Sequence, residues 1–477
     1  MTPSEQDEER LRRALGRLMH LEPPRLRRVE PHARRWLSTL AVASGTLVLT
    51  AGVLTTALEL HAGSTGPGAS SSPPAAGVTV TPPPETPSSW HLVSAPDAPG
   101  ATDGELNGVA CADANDCWAV GSWDGPALDG FTTGSGGGGA GSVTSHTLIE
   151  QYSGGGWRVI TSPTPSGSDN VALVAVACAG ASDCWAVGFD LGVGDEALVE
   201  QYTGAGWSTV TIPAPAGSDQ TGLDGVTCVS STDCWAVGYS SQGQQEESGY
   251  SQGTLVEQYT GSGWAVVSSP DPPGSTSSRL QAVTCTGVDD CWAVGSSGMA
   301  GGNQQPLIER DAGSGWTIVA GPNPPDTREP SILTGVSCAG ADDCWTVGDY
   351  GPSGDGRSLI EHFTGSGWTL VPSPAPVSAS ITWRTALSAV TCAGDGDCWA
   401  TGSLTATTSA SSSLAFYTSI EQESGGGWSV VHSPSPPGST MSELNGIACT
   451  GDRDCWAVGI SWPIATLPGR PLIEQEP

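Results

Sequence analysis

The sequence predicts an all-β protein: a seven-bladed β-propeller with 1+3 strand closure, preceded by one transmembrane helix. Three observations predict it. The stretch Cys111-x5-Cys117-Trp118-Ala119-Val120-Gly121 recurs as Cys178/Cys184, Cys228/Cys234, Cys285/Cys291, Cys338/Cys344, Cys392/Cys398 and Cys449/Cys455, which together use all 14 cysteines. Each full recurrence carries four short strand signals, separated by Gly, Ser, Asp and Pro, the residues that punctuate strands. Ahead of the array, Leu37 to Leu58 is a run without a single charge. Four strands per unit in tandem fit propeller blades better than a solenoid.

Charge divides the chain. All 17 basic residues are Arg, and nine of them lie at or before Arg35. From Trp90 onward eight Arg stand against 41 acidic residues. Nucleic-acid binding needs a basic footprint, so this region excludes nucleic acid as a partner. An acidic surface keeps a domain soluble and repels anionic polymers.

Residues 1–35 read as a cytoplasmic N-terminal segment. Leu11, Leu15, Leu18 and Met19 fall at helical spacing beside Arg12, Arg13 and Arg17, which makes residues 5–21 a short amphipathic helix and a candidate dock for a cytoplasmic partner. Residues 36–60 read as a signal-anchor helix. At ~1.5 Å per residue the uncharged run spans roughly 33 Å, enough for a bilayer core. Arg34 and Arg35 before it place the N-terminus inside and the remainder outside. The long leading segment, the long apolar core and the lack of an Ala-x-Ala site after it argue against a cleaved signal peptide. Residues 61–89 are mostly Gly, Ser, Pro and Thr, with Pro82-Pro83-Pro84 near their end. That composition makes an extended linker. The propeller then takes residues 90–477.

In the first unit the four strands are expected at Leu106–Cys111, Cys117–Gly121, Thr147–Tyr152 and Trp157–Thr161. The ends of the array set its closure. It begins with a lone fourth-strand signal, Trp90-His91-Leu92-Val93, and ends on a third-strand signal, Leu472-Ile473-Glu474-Gln475. The N-terminal strand therefore completes the last blade, and ring closure protects the free sheet edges.

Each Cys pair brackets the tight first-to-second-strand turn and sits across antiparallel neighbours, within disulfide reach. Outside a membrane such bonds persist, so one intra-blade disulfide per blade is expected. The spacing does not match the C-x2–4-C of zinc sites, and no metal or other cofactor is assigned; calcium in the Asp-containing loops stays open. Other repeated residues read as structural. Trp118 and its counterparts fill space between blades. The Asp before each second Cys accepts turn N–H groups. Glu150, Glu200, Glu257, Glu309, Glu361, Glu421 and Glu474, one on each third strand, accept hydrogen bonds from backbone or indole N–H groups.

Cys117-Trp118-Ala119-Val120-Gly121, then Leu148-Ile149-Glu150-Gln151-Tyr152, then Gly-x-Gly-Trp, is an order that resembles extracellular propellers of the sialidase-like (BNR or Asp-box) type. It is also similar to photosystem II assembly-factor-like propellers. The resemblance spans residues 90–477 and implies blade architecture. An Asp box reads Ser-x-Asp-x-Gly-x-Thr-Trp, and the turn Tyr152-Ser153-Gly154-Gly155-Gly156-Trp157 lacks that Asp. Sialidases also grip a carboxylate with an Arg cluster, whereas the eight Arg here are scattered. No catalytic residue carries over.

Length variation falls almost wholly on one face. The second-to-third-strand connection runs from 9 residues (Phe189–Ala197) to 26 (Ser122–Thr147). Function usually sits on variable loops held by a rigid scaffold. The candidate ligand contacts are therefore Trp123, Asp124, Phe131, Tyr239, Tyr350, Trp383, Arg384 and Trp462. Exposed aromatic residues there suit sugar stacking or a protein hot spot. The expected function is a single-pass, membrane-anchored extracellular scaffold, not an enzyme, that binds a protein or carbohydrate ligand. The alternative is a sialidase-like glycoside hydrolase or lyase working in the propeller funnel.

Overall fold

The computed structural model describes residues 89–477 apart from 127–142, 166–167, 169, 193–194, 244–250, 300–301, 323, 325–328, 352–355, 375–380, 395–396, 409–410, 426, 452–453 and 464–467. The cytoplasmic segment, the anchor run, the linker up to residue 88 and Phe131 lie outside the described residues. Among the described residues every regular element is a strand, and no helix is long and apolar enough to cross a membrane.

After β1 (His91–Val93) the chain lays down up-and-down sheets in order. The first holds β2 (Asp103–Asp113), β3 (Asp116–Pro126), β4 (Val143–Tyr152) and β5 (Trp157–Ile160). The second holds β6 (Val171–Gly180), β7 (Asp183–Asp190), β8 (Glu196–Tyr202) and β9 (Trp207–Thr209). Next come β10 (Gln220–Ser230), β11 (Asp233–Gln242), β12 (Ser251–Tyr259) and β13 (Trp264–Val267), then β14 (Ser277–Gly287), β15 (Asp290–Gly298), β16 (Gln305–Asp311) and β17 (Trp316–Ile318). They are followed by β18 (Ser331–Gly340), β19 (Asp343–Tyr350), β20 (Arg357–Phe363) and β21 (Trp368–Leu370). The array ends with β22 (Ile381–Cys392), β23 (Cys398–Thr408), β24 (Ser411–Glu423) and β25 (Trp428–Val431), then β26 (Met441–Cys449), β27 (Cys455–Trp462) and β28 (Arg470–Glu476).

The architecture is a β-propeller. The first strands pack in a closed cycle: β2 on β6, β6 on β10, β10 on β14, β14 on β18, β18 on β22, β22 on β26 and β26 on β2. Closure is as expected. β1 pairs antiparallel with β28, Leu92 opposite Glu474, in a sheet ordered β1-β28-β27-β26. One departure concerns the separation of the sheets. Five are four-stranded, but β10–β17 form one eight-stranded sheet. β12 begins early enough to meet the start of β14, giving one parallel pair, Gln252 with Ser277. The Gln252 amide also donates to the Thr276 carbonyl at 3.0 Å.

The repeat motif now has a cause at each position. Each Cys pair is a directly opposed antiparallel pair, such as Cys111 with Cys117, and all seven expected disulfides are formed. Each second-strand Trp meets the fourth-strand Trp of the following sheet edge-on, as in Trp118–Trp207 (5.2 Å), Trp185–Trp264 (5.2 Å) and Trp292–Trp368 (5.2 Å). The cycle closes through Trp399–Trp90 (5.6 Å) and Trp456–Trp157 (5.1 Å). Edge-to-face aromatic pairs add roughly 0.5–1.5 kcal/mol beyond the area they bury.

The Gly that ends each Cys-Trp-Ala-Val-Gly is set by a β-bulge. The first strand shifts register beside it, between Leu106 and Gly108 in β2, for example. The shift brings the Glu105 carbonyl so close to Gly121 that a Cβ would overlap it, and the same holds at Gly188, Gly238, Gly295, Gly348, Gly402 and Gly459. The bulged residue itself can reach the next sheet. Asn107 donates to the Leu173 carbonyl, Asn445 to the Leu106 carbonyl (both 2.9 Å) and Thr334 to the Leu387 carbonyl (2.8 Å).

Of three expected roles, one is extended and two are corrected. The first concerns the cysteines, expected to pair across the turn, as they do. The two halves of each bridge differ. The first cysteine, such as Cys111 or Cys178, is half-buried. The second is a fully buried core residue: Cys117, Cys184, Cys234, Cys291, Cys344, Cys398 and Cys455. Each of these belongs to an apolar cluster shared with a neighbouring sheet, as Cys184 does with Trp118, Cys234 with Trp185, Cys291 with Trp235 and Cys344 with Trp292. The reason is the pleat: successive residues of a strand point to opposite faces, so the second Cys and the Trp after it face the two neighbouring sheets. The bridge therefore links strands within a blade and also fills the seam between blades.

The second concerns the Asp before the second Cys. It accepts side-chain donors from the third strand: Gln151 to Asp116 (3.0 Å), Gln258 to Asp233 (3.1 Å) and Arg310 to Asp290 (2.8 Å). At these positions it anchors the turn to the third strand. The third concerns the third-strand glutamates, which are fully buried. Glu200 and Glu309 accept instead from serine hydroxyls of the preceding sheet, Ser162 and Ser269.

Candidate functional site

The disulfide turns lie at one end of the first-to-second-strand hairpins. The described candidate contacts lie at the opposite end, where the second strand finishes. Tyr350 ends β19, Trp383 and Arg384 open β22, Trp462 ends β27, and Trp123 and Asp124 stand near the end of β3. The four sheets that carry them are successive, since β18 packs on β22, β22 on β26 and β26 on β2. They form an arc on one face. Tyr239 lies on β11, outside that arc.

The residues differ in what they present. Trp123 is 8% exposed and belongs to the apolar cluster between the last and first sheets. Its ring lies 4.4 Å from His146, its cross-strand partner, and covers Gly125. Asp124 is also buried, and its carbonyl accepts the Thr102 amide at 2.7 Å. This pair forms the root of the first sheet's long connection. Tyr350 is half-buried opposite Ser331 and Arg357.

Trp383 and Arg384 sit on the most extended sheet. β22, β23 and β24 run for 12, 11 and 13 residues. The Ser/Thr-rich stretch after Gly402 therefore continues as paired strands. β-Branched Thr405, Thr407 and Thr408 favour that extension. Trp383 pairs with Ala406 and Arg384 with Thr405, which in turn faces Phe416. The Trp383 ring is 6.2 Å from Tyr417. Burial lowers the Arg384 pKa and raises that of the Tyr417 phenol. Trp462 is half-buried opposite Met441, and its carbonyl accepts the Thr440 amide.

Toward the axis the first strands carry a separate set of charges. Arg279 makes a two-pronged ion pair with Asp224 of the preceding first strand, and its guanidinium lies 4.6 Å from the Tyr239 ring centre. Tyr239 is held there because its ring covers Gly222. Across the ring Glu105 accepts Ser122 at 3.1 Å. The protein around the half-buried Glu443, followed by the Glu105 carboxylate, pushes its pKa up to about 7. Asp349, near the end of β19, is pushed up to about 7 by burial. Among the described residues no group of three or more His, Cys, Asp or Glu is placed to hold a metal ion.

Sequence reasoning found the aromatic positions from their place outside the repeat. It did not find Tyr417 beside Trp383, or the Asp224–Arg279 pair, because these partners come from other strands or other sheets. For Asp224 a signal existed: it is the only acidic residue at the bulge position that elsewhere carries Asn107, Val174, Gln281, Thr334, Ser388 and Asn445.

These features define a disulfide-stapled β-propeller. No family model matches the chain, and no curated protein matches it. Among solved structures it is similar to a prolyl endopeptidase at 12% identity and TM-score 0.42, covering 79% of this chain and 50% of that one. The chain thus spans about half the length of that enzyme. It is similar to the fucose-recognising six-bladed lectin of Aleuria aurantia at 12% identity and TM-score 0.38, over 62% of this chain and 93% of the lectin. A polysaccharide lyase, described as an ulvan lyase, matches at 10% identity and TM-score 0.42, over 68% and 80%.

Proposed function

We propose that the chain is a seven-bladed propeller, with the eight-stranded sheet counted as two blades in contact. In this reading the Leu37–Leu58 run holds it on the outer side of a cell membrane, and it acts as a non-enzymatic scaffold that binds a protein or carbohydrate ligand. The observation that carries the reading is the arc. Tyr350, Trp383 with Arg384, and Trp462 lie on successive sheets at the variable end, over the buried root formed by Trp123. Half-buried aromatic side chains beside a partly desolvated Arg are the surface chemistry of sugar stacking and of protein hot spots. On the axis, Arg279 is already neutralised by Asp224, which favours binding over chemistry there.

The test is a binding screen of the full chain against cell-wall and host glycans and against envelope proteins, with and without calcium. Trp383→Ala and Trp462→Ala should each weaken a saturable ligand by about tenfold or more, the loss of one hot-spot contact. Saturable binding that neither substitution changes sinks the assignment to this face. Turnover of a bound glycan, lost on Arg279→Ala, would favour the hydrolase or lyase reading instead.

A further inference from the structure

The third-strand glutamates divide into two kinds by what the preceding sheet offers them. In four places two hydroxyls stand in line before the carboxyl. Thr147 meets Ser162 at 2.5 Å, and Ser162 donates to Glu200 at 3.1 Å. Thr254 meets Ser269 at 2.8 Å, and Ser269 donates to Glu309 at 2.8 Å. Ser358 meets Ser373 at 2.5 Å, and Ser373 reaches Glu421 at 3.3 Å. Ser433 lies 2.6 Å from Thr418 and donates to Glu474 at 3.0 Å.

In the other three places both hydroxyls are missing together. The residue three before the glutamate and the residue five after the fourth-strand Trp are Ala197 with Ile212, Pro306 with Gly321, and Pro471 with Ala95. The carboxyls facing these pairs are Glu257, Glu361 and Glu150. Each is fully buried, and both of its oxygens lack a hydrogen-bond partner. An ionised carboxylate in such a place is shut off from bulk solvent and has no protein donor to stabilise it, so the neutral acid is favoured.

We propose that the ring is an acid-favoured assembly with three proton-dependent seams, at Glu150, Glu257 and Glu361, which weaken when alkali removes the carboxyl proton. The seams lie between sheets, so ionisation there acts on the ring and not on one blade. Of the three, Glu150 has a like charge acting on it, Asp97, which is itself ion-paired to Arg470 at 2.9 Å, whereas burial alone acts on Glu257 and Glu361; in the bonded set Asp271 acts on Glu309. Burial lifts Glu150, Glu257 and Glu361 to about 8, whereas Glu200 and Glu309, with their serine donors, reach about 7. Glu421, whose serine bonds are long, stays at about 8. Each folded-state value lies above the unfolded one. The stabilisation is therefore complete below the unfolded value of 4.5 and is lost as pH rises through the folded value of about 8. The proposal is independent of what the outer face binds.

The experiment is thermal melting of the full chain from pH 5 to 9, with infrared detection of the protonated carboxyl stretch at pH 6. The test variant is the triple Glu150→Gln, Glu257→Gln, Glu361→Gln, which keeps the shape and removes the titration. Its melting temperature should fall with pH roughly half as steeply as that of the wild type, and its protonated-carboxyl band should shrink. Parallel melting curves, or an unchanged band, overturn the proposal. A second variant, Ala95→Ser with Pro471→Thr, builds the missing hydroxyl pair opposite Glu150. It should bring the Glu150 carboxyl down toward the serine-bonded Glu200 and Glu309, so that less stability is lost between pH 5 and 9 and the loss is complete at lower pH; an unchanged or larger loss overturns the proposal even if the triple variant does not fold.

Discussion

At the scale of single residues, backbone approach decides more than side-chain chemistry. Gly238 is the clearest case. It ends the repeat motif in β11, its φ is ordinary, and a Cβ would overlap the Gly222 carbonyl and press on the Leu223 Cα. Both obstacles are backbone, which cannot swing aside as a side chain can. Overpacking of a core typically costs about 1–3 kcal/mol, and a backbone clash stands at the upper end or beyond. Gly238→Ala should therefore destabilise the protein by about 3 kcal/mol or more in denaturant unfolding. Gly287→Ala, with open space around its Cβ position, should stay within about 0.5 kcal/mol. Equal effects from the two would remove the bulge as the reason for the motif glycine. The repeat displayed this glycine in every unit, but the reason was hidden in the register shift of another strand.

At the scale of elements, the short closing strand holds a large share of the ring's continuity. β1 has three residues, yet Trp90 is 4% exposed and meets Trp399 of the preceding sheet at 5.6 Å. Just before it, the Ser89 hydroxyl donates to Glu476 at 2.5 Å. Deleting a large buried aromatic side chain costs about 3–5 kcal/mol. Trp90→Ala should lose that amount and should raise hydrogen exchange first in β1 and β28, which it leaves loosely joined. Uniform loss of protection over all the sheets would mean that closure is no weaker than any other seam. Closure was legible in the sequence because the array starts on a fourth strand and stops on a third. The disulfides were legible from spacing and parity. Each closes a loop of sequence separation 6, which the chain-entropy model values at about 2 kcal/mol. The second cysteine's place in the seam was not legible, because the cluster that receives it is built partly from the neighbouring sheet. The extension of β22–β24 was not legible either, because a polar Ser/Thr run has the composition of a loop and becomes strand only when neighbours pair with it. The hydroxyl pairs before the glutamates were hidden for a related reason: their two halves lie on one sheet and their acceptor on the next.

At the scale of the whole molecule, two kinds of acid act on the same fold and respond differently to salt. The chain carries a formal charge of −32, and from Trp90 onward 41 acidic residues stand against eight Arg; the acids outside the buried set face few cations. Their mutual repulsion disfavours the compact state and is screened over a Debye length of about 10 Å at 0.1 M salt. The interface glutamates are fully buried, and screening by mobile ions reaches buried groups much less. Melting at pH 8 should therefore rise by several degrees as salt increases from about 0.02 to 0.5 M, as surface repulsion fades. The fall in melting temperature from pH 6 to pH 9 should persist at the higher salt, because the cost of ionising Glu150, Glu257 and Glu361 arises from burial. A pH dependence that vanishes in high salt would assign the whole acid effect to the surface and leave the buried row without influence on stability. A pH dependence that survives, and shrinks only when those three glutamates become glutamine, would separate the two sources within one set of melting curves.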